Sequence, residues 1–265
     1  MPALSNICIQ LIEDSLHELD QARALENEKV VHQLRVLTKR LRAAWHLAQP
    51  VCGKNLAQQR RKALAEISAQ LAASRDQSVQ LTLAEKFHQA HPQISEKTLA
   101  ALFEAATPDK QAAHTPSVAD TKNVFASEID AWKEIQLGDK ERSILRHRWR
   151  HSLKKARSLA KKTCQSSSAD RWHDWRKAVK RLRYQREFLA MIHPRILGKR
   201  DLRIRQLGTR LGDHNDLAIF TKRLTPSAMA AMETAELNQL KKALAMEDRK
   251  IKGNCRRLGR KLFDQ

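Results

Sequence analysis

Apolar residues recur every three to four positions along most of the chain, the period of an α-helix that buries one face. Runs of β-branched and aromatic residues between closely spaced turns, which are typical of strands, are scarce. We therefore predict an all-α protein. The predicted helices span about 3–27, 29–49, 55–74, 76–90, 95–106, 121–136, 140–162, 170–192, 198–211, 214–223 and 226–262.

One helical pattern occurs twice. Residues 32–42 read HQLRVLTKRLR and residues 173–183 read HDWRKAVKRLR, so both follow H-x-x-R-x-x-x-K-R-L-R at an offset of 141. A weaker match between residues 63–79 and 203–219 follows at an offset of 140. This internal repeat predicts two helical bundles of the four-helix type, related by a pseudo-twofold axis.

The two halves meet at a segment rich in loop-forming residues. Residues 105–122 contain two prolines and several Thr, Ser and Asp residues. We treat residues 1–265 as a single domain with an N-terminal half of about 1–106, a loop at 107–120 and a C-terminal half of about 121–265.

The repeated helix separates cations from apolar residues. At about 100° per residue, Arg35, Lys39 and Arg42 fall within about 80° of His32, while leucines and Trp45 occupy the opposite side. The second copy sorts in the same way, with His173, Arg176, Lys180, Arg183 and Tyr184 on one face. Acidic residues are nearly absent from these rows, so we expect no i,i+4 ion pairs to neutralise them.

The net charge points to an anionic partner. Fifty Lys and Arg against 29 Asp and Glu give a formal charge of +21 and a pI near 10.3, and such an excess attracts anionic polymers. Residues 140–162 add ten Lys and Arg against one acid. We expect this helix to bring Arg150, Lys154 and Arg157 close to the second repeat. Arg offers a planar fork for phosphate oxygens, and Lys and His supply further donors.

Two acidic residues occupy matched positions after the weaker repeat. Asp76 and Asp216, with Arg75 and Asn215 beside them, either cap the helix that follows or orient a cation of the basic rows. The sequence leaves both roles open.

The four motifs together resemble the CHAD domain, the conserved-histidine α-helical domain. The two H-x-x-R-x-x-x-K-R-L-R copies are similar to its paired signatures, and SRDQSV (74–79) and LGDHNDLAI (211–219) are similar to its R-D and L-G-D-x-N-D turns. The resemblance covers nearly the whole chain. It implies two bundles that face each other across a basic groove or pore, and binding of inorganic polyphosphate.

By position, the resemblance assigns the phosphate ligands to the two basic rows. They are His32, Arg35, Lys39, Arg42, His173, Arg176, Lys180 and Arg183. We add their neighbours Arg40, Lys177, Arg181 and Tyr184, and Arg150, Lys154 and Arg157 of the third basic helix. Many family members carry a triphosphate-tunnel (CYTH) domain, but its ExExK signature is absent from this chain.

Two alternatives to polyphosphate binding remain. Charge alone fits RNA or DNA, but the basic rows offer few aromatic side chains for stacking and no nucleic-acid-binding signature occurs. An enzyme that processes polyphosphate would need metal-binding carboxylates or a nucleotide cradle. The pair His147 and His151 lacks the Glu of H-E-x-x-H. We therefore expect a binding protein without catalytic activity, metal or cofactor.

The sequence also bears on location. It begins without the basic start and apolar run of a signal peptide, and it contains no run of 18 apolar residues. Four dispersed cysteines favour reduced thiols. We expect a cytoplasmic protein associated with polyphosphate granules or acting as an adaptor, and the oligomeric state stays open.

Overall fold

The chain is helical almost throughout, as the sequence predicts. A computed structural model describes residues 3–22, 28–71, 85, 87–92, 94–95, 99, 117–166, 168–193, 200–230 and 232–263. Its helices are α1 (Leu4–Ala22), α2 (Glu28–Cys52), α3 (Lys54–Gln70), α4 (Val118–Lys133), α5 (Glu141–Cys164), α6 (Ala169–Ile192), α7 (Arg200–Thr221), α8 (Pro226–Ala230) and α9 (Thr234–Phe263). These described residues form no strand, which confirms the all-α class.

Helices α1, α2, α3 and α4 form the first bundle. Neighbours pack in a closed ring, with α2 against α1 and α3, and α4 against both α1 and α3. Two fully buried tryptophans lie at its centre, Trp45 of α2 and Trp132 of α4, with ring centroids 4.1 Å apart. Burying aromatic rings of this size supplies much of the hydrophobic stabilisation of a small bundle.

Helices α5, α6, α7 and α9 form the second bundle, in which α6 packs against α5 and α7, and α9 against α7 and α5. Its centre again holds two tryptophans, Trp172 and Trp175 of α6, with ring centroids 5.6 Å apart. The two four-helix bundles agree with the predicted architecture. Their origin by duplication and their pseudo-twofold relation stay predictions.

The two repeat-bearing helices, α2 and α6, pack against each other where the bundles meet. Arg148 of α5 also crosses this boundary, because its Nε donates to the backbone oxygen of His46 at 3.1 Å and its Nη2 to Oε1 of Gln49 at 2.7 Å. The basic row of one bundle is therefore placed beside the basic row of the other.

The boundary between the bundles differs from the predicted division of the chain. The helix predicted at 121–136 was assigned to the C-terminal half, but the corresponding α4 packs in the first bundle. The reason is its apolar stripe, in which Phe125 and Trp132 are fully buried. The chain passes to the second bundle after α4, just before the short 3-10 turn at Gly138–Lys140.

Two helix predictions near the C-terminus were wrong. The break predicted between 198–211 and 214–223 is absent, and α7 continues through Gly212 and Asp213. Leu211, His214 and Leu217 are all buried, so the apolar stripe continues and offsets the cost of about 1 kcal/mol for a glycine inside a helix. The single helix predicted at 226–262 is instead divided into α8 and α9. The predicted helices 76–90 and 95–106 lie largely outside the described residues.

No helix in the described part of the chain is both long enough and apolar enough to cross a bilayer. The four cysteines Cys8, Cys52, Cys164 and Cys255 are free thiols.

Candidate functional site

A cleft of about 500 Å³ opens where α2, α3 and α6 meet, and we call it the basic cleft. It is lined by Lys39, Arg42, Ala43 and His46 of α2, Gln58, Arg61, Lys62 and Ala65 of α3, and His173, Arg176, Lys177, Lys180, Arg181 and Tyr184 of α6. Eight of these side chains are Lys or Arg, and none of the lining residues that the structure describes is Asp or Glu. Such a concentration of like charge favours a multivalent anion.

The structure brings together eight of the predicted ligands in this cleft. They are Lys39, Arg42, His173, Arg176, Lys177, Lys180, Arg181 and Tyr184. His32 and Arg35 lie on α2 toward its N-terminus, outside the lining. His32 is exposed and Arg35 is half-buried, and their spacing continues the row that contains Lys39.

Arg40 and Arg183 are engaged by an acid, so the expectation that no i,i+4 ion pair neutralises the rows was wrong. Glu187 lies 3.3 Å from Nε of Arg40 and, four residues along α6, 3.6 Å from Nε of Arg183. It links the two repeat helices across the bundle boundary. The motif alone does not reveal this pairing, because Glu187 lies four residues after Arg183, the last residue of the second motif.

Arg150, Lys154 and Arg157 of α5 are exposed and do not line the basic cleft. In the basic cleft, the predicted approach of their face to the cations of the second repeat is therefore not seen, whereas Arg157 lines a separate pocket together with Trp175 of that repeat. Burial of Leu145, Trp149 and Ala156 fixes the rotation of α5. A different arginine, Arg148, approaches the cleft instead.

The sequence analysis did not identify the residues of α3 that line the cleft beside α2 and α6. Gln58, Arg61, Lys62 and Ala65 of α3 recur at i, i+3, i+4 and i+7, which places them on one face. The basic run at residues 60–62 was a usable signal. Only the packing of α3 beside α2, however, shows that this face meets the repeat helices.

The charge of Lys180 is disfavoured in the cleft. Burial, and after it the nearby charges of Arg176 and Lys39, lower its pKa from 10.5 to about 8. Asp216 acts in the opposite direction. Lys39 and Lys180 occupy matched positions of the two motifs, so the repeats meet at this point of the cleft.

Four arginines surround the inner part of the cleft. Burial lowers the pKa of Arg181 to about 10, and the charges of Arg61, Arg42 and Arg148 contribute in that order. Guanidinium groups held this close repel each other. An anion placed between them would relieve this repulsion and satisfy their donors bidentately.

His46 is held neutral beside these arginines. Burial and the surrounding cations, Arg181 foremost, lower its pKa to about 2. Arg61 Nη1 lies 2.6 Å from Nδ1 and 2.7 Å from Nε2 of the ring, and Arg61 Nε donates to the backbone oxygen of Ala57 at 2.8 Å. A neutral imidazole accepts from a guanidinium, so His46 orients Arg61 instead of adding charge.

Tyr184 is nearly buried, at 8% exposure, and burial raises the pKa of its phenol. The guanidinium carbon of Arg183 lies 5.8 Å from the centre of its ring, within cation–π range. The ring therefore forms part of the cleft wall and offers little face for a base to stack on.

The capping role considered for Asp216 was wrong. Asn215 and Asp216 lie inside α7, well before its end at Thr221. Burial lowers the pKa of both Arg176 and Lys180, and the charge of Asp216 partly offsets this lowering. Its alternative role, to orient a cation of the basic rows, stays a prediction. The matched pair Arg75 and Asp76 lies outside the described residues.

The described residues contain no group of three or more His, Cys, Asp or Glu side chains placed to hold a metal ion. What the basic cleft offers is a set of fixed positive charges and hydrogen-bond donors. This arrangement suits the binding of phosphate groups.

Comparisons with known proteins agree with the fold. No curated protein matches this chain. Among solved structures, PptA from Streptomyces chartreusis is similar, with a TM-score of 0.63 and 18% identity over 100% of this chain and 99% of that one. At this identity the likeness shows the fold alone. The CHAD domain model matches residues 10–225, which include both repeat helices and the basic cleft. The chain therefore belongs to the CHAD domain family.

Proposed function

We propose that this protein binds inorganic polyphosphate in the basic cleft. The observation that carries the proposal is the convergence of eight Lys and Arg side chains from three helices on one cleft, in which none of the described lining residues is an acid. Burial, and after it the charges of neighbouring cations, disfavours the protonated forms of Lys180 and Arg181. A bound polyanion would remove that disadvantage, because its negative charge favours the protonated forms of both side chains.

The form of the cleft suits a chain of phosphates better than a single ion. Cations that recur every three to four residues along a helix are spaced by about 5 Å, and both α2 and α6 carry such rows. A linear polymer with a negative charge on every unit can meet several of them at once. The choice of polyphosphate among linear polyanions comes from the family resemblance.

The cleft gives a nucleic acid less to recognise. Stacking of bases on exposed aromatic rings is a usual source of affinity for single strands. Among the described lining residues, Tyr184 is the one Phe, Trp or Tyr, and it is nearly buried. We therefore place RNA and DNA second and make them an outcome of the test.

We propose binding without catalysis. Phosphoryl transfer commonly uses carboxylates that hold metal ions, together with a positioned nucleophile. The lining of the basic cleft supplies cations, amide, imidazole and phenol groups instead. Binding without catalysis is compatible with a granule-associated protein or an adaptor, which is the role we propose. Incubation with polyphosphate should release no phosphate above the rate without protein.

Competition binding tests the choice of ligand. Labelled polyphosphate is displaced by unlabelled polyphosphate, single-stranded RNA or duplex DNA at equal phosphate concentration. We expect polyphosphate to compete best, and its affinity to fall steeply with salt, by about 10³-fold between about 50 and 200 mM if six or more phosphates are contacted. Better competition by a nucleic acid, or an affinity independent of salt, would contradict the proposal.

A further inference from the structure

A second pocket of about 500 Å³ lies in the second bundle, between the C-terminal turns of α5 and α9. It shares no lining residue with the basic cleft. The two sites lie on different sides of α6, because His173 lines the cleft and Trp175 the pocket, and residues two apart on a helix point about 200° from each other. We call it the α5–α9 pocket.

The α5–α9 pocket is lined by four cations, two from each helix: Arg157, Lys161, Arg256 and Arg260. None of the lining residues that the structure describes is an acid. Two acids of the same bundle pair with cations outside the pocket, Asp213 with Arg210 at 3.0 Å and Asp248 with Lys252 at 2.7 Å. Positive charge is therefore concentrated in the pocket, as it is in the basic cleft.

Stabilisation of helix ends accounts for only two of these four cations. A cation near a helix C-terminus interacts favourably with the exposed carbonyls, and this effect falls off beyond the last turn. Lys161 and Arg260 lie in the last turns of α5 and α9. Arg157 and Arg256 lie about two turns before those ends, so the carbonyls give them little.

Arg256 is held in place by contacts that do not neutralise its charge. Its guanidinium carbon lies 5.9 Å from the centre of the Trp172 ring, and a hydrogen bond joins it to the side chain of Cys164. Its Nε is buried and has no hydrogen-bond partner among the residues that the structure describes. The guanidinium is therefore positioned in advance for an anion, which would supply an opposite charge.

The types of side chain favour phosphate among anions. Arginine presents a planar fork that meets two phosphate oxygens, and lysine adds a point charge. Three arginines and one lysine in about 500 Å³, a volume in the range of small-molecule sites, match several negative charges held close together. We propose that the α5–α9 pocket is a second phosphate site, which binds a short chain of phosphate groups such as tripolyphosphate. The proposal does not depend on the function of the basic cleft.

Alkylation of Cys164 reports the occupancy of the pocket in the unmodified protein. Cys164 lines the pocket and is exposed. Partial burial raises the pKa of its thiol, so its reaction with iodoacetamide, a neutral reagent, is followed at about pH 8.5 by mass spectrometry. Cys52, which lines neither the pocket nor the basic cleft, serves as the internal control.

We expect tripolyphosphate to slow alkylation of Cys164 about tenfold at ten times its Kd, with half-protection below about 1 mM, and to leave Cys52 unchanged. ATP carries three phosphate groups as well and should protect at a concentration within about threefold, because the phosphates alone are recognised. Sulfate at equal ionic strength should need a concentration at least about ten times higher. No protection by tripolyphosphate, protection by ATP alone, or equal protection by sulfate would overturn the proposal.

Two double variants with the same change of net charge test the cations of the pocket. Arg256→Gln with Arg260→Gln should raise the concentration of tripolyphosphate for half-protection at least about tenfold. Lys241→Gln with Lys242→Gln, at exposed positions of α9 outside the pocket, should raise it less than about threefold. Each rate is compared with that of the same variant without ligand, and circular dichroism checks that both variants stay helical. Equal effects would refute the assignment, because only net charge would then matter.

A variant of the basic cleft separates the two sites. Lys39→Glu with Lys180→Glu should weaken polyphosphate binding in the cleft and leave the protection of Cys164 by tripolyphosphate intact. Loss of this protection would place the ligand in the cleft and refute the second site. Weak polyphosphate binding by the unmodified protein, with Cys164 still protected, would instead contradict only the function proposed for the cleft.

Discussion

Lys180 shows at the scale of one residue how a binding site opposes stability. Its amine stays charged at neutral pH although burial and neighbouring cations lower its pKa to about 8. The folded protein therefore disfavours the charged form relative to the unfolded chain. This disadvantage is complete below about pH 8, where both states are protonated, and it disappears above about pH 10.5, where both are neutral.

We predict that Lys180→Met stabilises the unliganded protein by about 1–2 kcal/mol at pH 7, after allowance for solvent screening. The gain should shrink as the pH rises toward about 10. Denaturant unfolding at several pH values measures it. The exposed Lys241→Met is the matched control and should change the unfolding free energy by less than about 0.5 kcal/mol. Destabilisation by Lys180→Met would contradict the account.

Glu128 is a buried acid within the first bundle. It is 1% exposed, accepts a hydrogen bond from Nε1 of Trp45 at 2.6 Å, and lies 3.8 Å from Nη1 of Arg60. Burial raises its pKa from 4.5 to about 7. Between these two values the folded state holds a proton that the unfolded state has released, so stability falls as the pH rises through this range.

We predict that Glu128→Gln removes this loss. Relative to the variant, the wild type should lose about 3 kcal/mol of unfolding free energy between about pH 4.5 and pH 7.5. Subtracting the variant's own pH profile removes the contribution of the other charges. The exposed Glu13→Gln provides the reference for a simple change of net charge, and its profile should run parallel to that of the wild type. Parallel profiles for Glu128→Gln would refute the assignment.

At the scale of elements, Glu187 joins the two repeat helices through Arg40 and Arg183. The three side chains are partly exposed, so the pairs contribute only about 0.5–1 kcal/mol to stability. Their larger effect is to engage two cations next to the basic cleft.

We predict that Glu187→Gln strengthens polyphosphate binding. Releasing Arg40 and Arg183 should raise the affinity about three- to tenfold at low salt and steepen its salt dependence. Titration of labelled polyphosphate at several salt concentrations measures both. Glu13→Gln adds the same net charge at an exposed position of α1 outside the cleft lining and should have a smaller effect. Equal gains from the two variants would indicate that only net charge matters.

The sequence predicted most of the helices and half of the candidate site. The repeated motif placed Lys39 and Lys180 on the helix faces that line the cleft, because helical periodicity depends only on local sequence. The contribution of Arg61 and Lys62 could not be read in this way, since it depends on which helix packs beside α2. The rotation of α5, fixed by Trp149 and Leu145, is likewise a tertiary property.

At the scale of the whole molecule, two four-helix bundles join along α2 and α6, and the basic rows meet between them. The position of α4 shows why the chain could not be divided correctly from composition alone. The sequence is rich in loop-forming residues at 105–122, but α4 packs on the first bundle because Trp132 of its buried stripe stacks on Trp45. Loop-forming residues predict where helices are interrupted, whereas complementary apolar faces decide which helices share a core.

The central claim is that the basic cleft holds polyphosphate through matched cations from both repeats. Its most direct test is the affinity of labelled polyphosphate for Lys39→Glu with Lys180→Glu, compared with Lys241→Glu with Lys242→Glu. Both double variants change the net charge equally, and Lys241 and Lys242 are exposed on α9 outside the cleft. Circular dichroism checks that both stay helical. We predict a loss of at least about 100-fold for the cleft variant and less than about fivefold for the control. Equal losses, or unchanged affinity in the cleft variant, would contradict the account.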